Sequence, residues 1–318
     1  SSKKLLTLFN LKYPFFQAAP GGEKLAVAIA NSGCMGCIQL TWETPDTAYE
    51  MVVRMNKETG KNYYANYVLH FQPESLDKAL EAGCPNFQFS WGLPSREIVS
   101  KIKNAGGKFG VQVSGRLNAE KALELKPDFL FCQGLEAGGH IQASQYLKDV
   151  LPEVLKISNE IPVLVAGGIS TGEDIRRAIC NGAAGTVIGT RFIATRESDM
   201  SDFYKQKLVD AGENSTVYTN CFNKDWDAMH RVLRNSTFIK WEAEGCPLKG
   251  YKPGEGEVIA KGASGYDIFR YGGHEPTQGV TGDLEAMIMY AGEGVTKVND
   301  IPGARELIER LWKEFENK

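Results

Sequence analysis

Short β-rich apolar runs alternate with turns and amphipathic stretches of about 10 to 14 residues through the first 190 residues of the chain, and few architectures accept that alternation. The runs are Phe15–Gln17, Met35–Gln39, Tyr64–Tyr67, Asn86–Phe89, Lys108–Val113, Phe129–Cys132, Pro162–Ala166 and Thr186–Ile188. Between them, Glu23–Asn31, Asp46–Thr59, Pro73–Ala82, Ser95–Asn104, Ala119–Leu125, Tyr146–Ser158 and Gly172–Cys180 read as helices. Gly33, Gly60, Gly83, Gly106 and Gly182 stand just past helix ends, where a C-cap needs them. Strands separated by helices must run parallel, and eight of them make an α/β fold of the (β/α)8 TIM-barrel type. A doubly wound open sheet is the competing layout, but it places its glycine fingerprint after the first strand. Here the glycine-rich turns come late, after strands six, seven and eight.

Past Arg196 the rhythm breaks. Met200–Ala211 reads as a helix, Tyr218–Glu244 is mixed and aromatic, and Lys249–Gly282 is dense in glycine without a period. Leu307, Ile308, Leu311, Trp312 and Phe315 then recur at helical spacing in Ala304–Glu316, an amphipathic helix expected to close against the barrel. Residues 1–198 with 300–318 are therefore expected to form the barrel, and 199–299 a smaller C-terminal lid subdomain. A length of 318 residues with 42% hydrophobic content suits one large core with an appendage.

A formal net charge of −3 offers no cationic surplus for nucleic acid or an anionic membrane, so a small-molecule substrate is expected. No apolar run approaches the roughly 20 residues that span a bilayer. Lys3 and Lys4 before a short Leu5–Leu6 pair do not make a signal peptide, which points to the cytoplasm. Seven cysteines, an odd number scattered through apolar segments, read as reduced thiols. Cys34 and Cys37 form a CxxC with no second pair and no nearby histidine, so no metal site is expected.

Three segments carry chemistry. In Pro162–Gly172 an apolar strand ends in Gly167–Gly168 immediately before a helix start. Such a turn presents backbone N–H groups and the positive end of a helix to an anion. Gly185–Phe192 repeats the arrangement one strand later. Together they predict the phosphate cradle that barrels build after strands seven and eight. The third segment, Phe131–His140, leaves strand six in a glycine-rich loop that ends in an imidazole.

EAGGH at 136–140, AGGISTG at 166–172 and GTRFIATRES at 189–198, in that order and spacing, resemble the nitronate monooxygenase family, formerly called 2-nitropropane dioxygenases, with its flavin-dependent enoyl-ACP reductase branch. Pro14–Gln17, Asn31–Gly36, Arg231–Asn235 and Gly282–Asp283 extend the resemblance along essentially the whole chain. It implies FMN as cofactor, oxidation of alkyl nitronates by oxygen to carbonyl compounds and nitrite, and, as the alternative, NAD(P)H-dependent reduction of an enoyl thioester or a quinone. It implies that Asn66 and Gln133 bond the polar edge of the isoalloxazine and that Gly138 lies against the flavin. Gly168, Val187, Ile188, Gly189 and Thr190 would hold the phosphate through backbone amides, and Ala19, Pro20 and Gly21 would line the ring. The first loop departs from the family's Pro-Met-Ala-Gly, reading Ala19-Pro20-Gly21-Gly22. Glu293 stands where the family commonly has Gln, adding a charge expected to bear on substrate preference. Gln133, where the reductase branch tends to carry Glu, tilts the reading to the monooxygenase.

His140 is the expected catalytic residue, because an imidazole that titrates near neutrality can take a proton beside a nitro group or orient an anionic substrate. Glu136 is expected to fix its own loop through backbone amides. His70 and His230 read as surface or packing residues, and His274 as a lid residue able to enter the pocket. Trp91 can equally stack on substrate or pack in the core. Homodimers are common among such barrels.

Overall fold

The computed structural model describes residues 2–317. Its eight parallel strands are β1 (Phe15–Gln17), β2 (Gly36–Gln39), β3 (Tyr63–Val68), β4 (Asn86–Ser90), β5 (Lys108–Val113), β6 (Phe129–Gln133), β7 (Val163–Ala166) and β8 (Gly185–Ile188). Their order around the sheet is β1-β8-β7-β6-β5-β4-β3-β2. The ring closes where Met35 bridges Phe16, its N–H donating to Phe15 O at 2.9 Å and its carbonyl accepting from Gln17 N–H at 2.9 Å. The fold is thus an α/β TIM barrel. Strands such as β3 are buried along their whole length rather than alternately, because both faces of a barrel strand meet protein.

Aromatic rings fill the interior. Phe16, Tyr64, Phe129 and Phe131 pack together there, with centroid separations from 5.3 to 6.0 Å. Gly110 admits Phe129: a Cβ on Gly110 would lie 2.1 Å from that ring. Below them a helix that the sequence pattern did not announce, Ser2–Phe9, floors the barrel with Leu5 and Phe9. Phe9 meets Phe16 and Phe129 edge-on at 5.6 and 5.4 Å.

The terminal helix Ala304–Glu316 lays Leu307, Ile308 and Leu311 against helices Gly172–Cys180 and Gly22–Ala30. Trp312 reaches Tyr13 at 5.2 Å, and Glu314 accepts the Gly172 N–H at 2.9 Å. Between barrel and terminal helix lie two small antiparallel sheets. Strands Thr216–Thr219 and His230–Leu233 form one, and a two-residue strand from the barrel, Gly139–His140, completes it. Strands Val258–Lys261, Asp267–Phe269 and Thr281–Gly282 form the other. No helix among the described residues is long and apolar enough to cross a membrane.

Gly110→Ala should lower stability by about 1–3 kcal/mol, because the added methyl collides with a ring that has no free volume to enter. Urea denaturation of the two proteins measures it, and an unchanged midpoint would mean that Phe129 can move.

Candidate active site

A parallel barrel delivers every strand's carboxyl end to one rim, and here that rim is rich in carboxamides. Gln39, Asn66, Gln88, Gln112 and Gln133, at or near the ends of five successive strands, all line one cavity of about 970 Å³. They are tied to one another and to the loops. Asn66 donates to Gln88 Oε1, Gln112 to Gln142 Oε1 at 2.7 Å, and the Thr41 hydroxyl to Gln39 Oε1 at 2.8 Å. Gln133 holds the third chemical segment: it donates to His140 O at 3.3 Å and accepts the Gln142 N–H at 2.8 Å.

Of the residues implied by the family resemblance, Ala19, Pro20, Gly21, Asn66, Gln133, Gly138, His140, Gly168, Val187, Gly189 and Thr190 all face this cavity. Ile188 does not. Strand alternation turns its side chain into the core around the barrel, and its carbonyl accepts the Ala18 N–H at 2.9 Å. Gly167 and Gly168 have φ of +137° and +67°, values that only glycine adopts readily, and they point the turn after β7 at the cavity. Gly189 is the N-cap of the short helix Thr190–Ile193, so the orphan N–H groups of that turn face the same space. The departing first loop bends at Gly22, φ +80°, where a Cβ would stand 2.5 Å from Asp199. No lysine or arginine lines the cavity among the described residues. An anion held here is held by backbone amides and hydroxyls, which suits a phosphate monoester seated on glycine turns.

The loop from β6 to His140 is clamped on both sides. Glu136 accepts the Leu147 N–H at the start of helix Leu147–Leu155, at 3.0 Å, which is the loop-fixing role its position suggested. Glu293 donates its N–H to Glu136 O at 3.0 Å, and its carboxylate meets Arg231 at 3.0 Å. The Glu293 charge is therefore neutralised by Arg231 and is not among the groups facing the cavity, which corrects the expectation that it bears on substrate. Arg231 also donates to Leu135 O at 2.9 Å. Gly139 and His140 pair with Arg231 and His230 of strand His230–Leu233, so the histidine is fixed both by the β6 loop and by that strand.

His140 stands with its Nε2 buried and without a hydrogen-bond partner. Burial, with His230 beside it at 5.4 Å, pushes its pKa down to about 3. The expectation of an imidazole titrating near neutrality is thus corrected: the half-buried ring is removed from part of the water that would solvate its cation. His230 is also kept neutral, pushed down to about 4 by burial. Its Nδ1 donates to Ala228 O at 2.8 Å and its Nε2 accepts the Phe222 N–H at 3.3 Å, so it is a packing residue.

The cavity's lid side brings in groups that sequence reasoning passed over: Trp226, Tyr290, Asp199, Asp225 and Glu275. Burial raises Glu275 to about 8, with Asp199 repelling its charge. His274 also reaches the cavity. Trp91 lies on the wall, edge-on to Trp226 at 4.6 Å. Cys37 is at the floor, and burial pushes its thiol up to about 12, beyond easy ionisation. The five carboxamides had a legible signal, an amide at the end of strand after strand; the lid residues had none, because their loops carry no period.

The fold and this rim can now be set beside known proteins. A relative from Mycobacterium tuberculosis, (3aS,4S,5R,7aS)-5-hydroxy-7a-methyl-1-oxo-octahydro-1H-indene-4-carboxyl-CoA dehydrogenase, is 26% identical across 96% of this chain and 94% of its own length. FabK from Thermotoga maritima shares the fold with a TM-score of 0.79 at 24% identity, covering 98% of this chain and 96% of that one. Nitroalkane oxidase from Streptomyces ansochromogenes does so with a TM-score of 0.77 at 23% identity, covering 97% of each. The family model described as nitronate monooxygenase matches residues 74–314, which hold the histidine loop, both glycine turns and the lid. The chain belongs to the nitronate monooxygenase family of flavin-dependent oxidoreductases.

Proposed function

We propose that this protein binds FMN and oxidises small alkyl nitronates, or the nitroalkanes that give rise to them, to carbonyl compounds and nitrite. The observation that carries the reading is an imidazole kept neutral, its Nε2 without a hydrogen-bond partner, on the wall of a cavity with no lysine or arginine in its lining. Gly168, Val187, Gly189 and Thr190 would hold the phosphate through backbone amides, and Ala19, Pro20 and Gly21 with the carboxamides would border the ring. When bound, FMN supplies the electron acceptor of the oxidation and the route by which oxygen receives those electrons.

The chain's own residues supply binding and proton chemistry. A neutral His140 has one free nitrogen to accept the proton of a carbon beside a nitro group, or one N–H to donate to a nitronate oxygen. Because burial disfavours the imidazolium, the proton is held only while the nitronate lies beside it, an ion pair in a water-poor site. Glu275, with its carboxyl held largely protonated at neutral pH, adds no full negative charge against that anion.

A second reading, reduction or dehydrogenation of a thioester with NAD(P)H, draws on the full-length match to a CoA thioester dehydrogenase. Both partners of that reaction are polyanions, and the lining offers the carboxylates Glu23, Glu43, Asp199 and Asp225 but no cation to grip their phosphates. That charge pattern favours the small substrate.

The purified protein should be yellow and release FMN on heating. Mixed without oxygen, a nitronate should bleach the flavin and NADPH should not; the reverse result would transfer the assignment to the reductase reading. His140→Ala should retain FMN, since the phosphate turns are separate from it, and lose about 100-fold or more in turnover of neutral nitroalkanes.

Stability should also depend on pH. His140 and His230 have folded pKa values of about 3 and about 4, below the unfolded value near 6.5. The unfolded chain therefore binds more protons in that window, and stability is lost as pH falls from about 6.5 towards about 4. Urea midpoints across this range should decline less steeply in His140→Gln than in the parent.

A further inference from the structure

Of the rings that the segment between barrel and terminal helix brings to the His140 imidazole, Trp226 comes nearest, at 4.2 Å between centroids against 5.4 Å for His230 and 5.5 Å for Tyr290. Trp226 lies in the loop between the two longer lid strands, and that loop is held inside the lid: Ala228 N–H donates to Trp226 O at 3.0 Å, and Gly273 N–H to Asp225 Oδ2 at 3.0 Å. Its indole leaves the lid and enters the barrel rim. There it stacks on His140 at 4.2 Å between centroids and 28° between planes. His70, from the loop after β3, stacks on Trp226 at 5.3 Å and 20°. Phe71 and Trp91 meet the indole edge-on, at 5.5 and 4.6 Å. Trp91 is held with φ +58°, a conformation that bulky residues rarely adopt, in that wall.

We propose that Trp226 is a positioning residue for His140: the indole fixes the plane of the imidazole, covers one of its faces from water, and so sets the acid–base character of the site. The other groups around His140 do not account for its shielding. His230 meets it edge-on and has both nitrogens bonded, and Tyr290 is tilted at 5.5 Å. The charged or titratable groups on the same walls include Glu23, Glu43, Asp199, Asp225, His274 and Glu275, with His70 behind the indole, and an unscreened carboxylate nearby would favour the imidazolium rather than suppress it. Burial is the leading cause that keeps His140 uncharged, and Trp226 is the closest ring on its face. The catalytic consequence rests on the function proposed above; the shielding itself does not.

The test is a titration of the histidine ring signals by NMR in the purified holoprotein, for the parent, Trp226→Phe and Trp226→Ala. His140 should stay neutral down to about pH 5 in the parent and rise by about two units or more in Trp226→Ala, towards the ordinary value near 6.5. Trp226→Phe, which keeps a ring on the imidazole, should shift less. His230 serves as the internal control, since its bonds to Ala228 and Phe222 are untouched. A His140 midpoint that does not move in Trp226→Ala, with His230 unchanged, overturns the proposal. If Trp226→Ala does not fold, an unmoved midpoint in Trp226→Leu overturns it equally. In turnover, the acid limb of the kcat/KM profile should move with the NMR midpoint. A moved midpoint in a protein that no nitronate reduces would leave the positioning role standing and remove the nitronate assignment.

Discussion

A parallel strand cannot find its partner through a hairpin, so its hydrogen bonds are completed only when the chain has crossed over a helix and returned. In this protein eight such strands satisfy one another in a ring, and the Met35–Phe16 bridge removes the last free edges. Everything functional depends on that closure. It sends every strand's carboxyl end to one rim, which gathers residues as distant in sequence as Pro20 and Gly189 around a single cavity. At the opposite rim Leu5 and Phe9 pack under the interior aromatics.

The site is built from neutral groups. Carboxamides on successive strands, glycine turns after β7 and β8, and an imidazole stripped of its charge by burial replace the lysines and arginines that commonly serve anionic ligands. Such a lining presents directed N–H groups rather than net positive charge to an anion, and among the described residues the formal charges on its walls are those of carboxylates.

The lid is a structural partner of the chemistry as well as a cover. Its strand His230–Leu233 adds Gly139–His140 to a lid sheet, its Arg231–Glu293 pair grips the loop below, and its Trp226 lies on the imidazole.

The barrel was legible in the sequence because each βα unit is a local matter of periodicity: β5 begins and ends where its alternation of apolar and small residues said it would, and the other strands lie within a residue or two. The glycine turns were legible for the same reason, since a strand ending in Gly167–Gly168 has few other uses. The Ser2–Phe9 helix was missed because it is short and its apolar residues acquire meaning only against Phe16 and Phe129. The sequence by itself therefore determined the ring of strands and the rim on which the glycine turns and His140 gather. Only the tertiary structure decided that Ile188 turns away, that Glu293 is neutralised by Arg231, and that His140 is uncharged under Trp226. Those outcomes depend on which side chains approach across gaps of up to about a hundred residues, and on how much water their approach expels, neither of which is encoded in any local period.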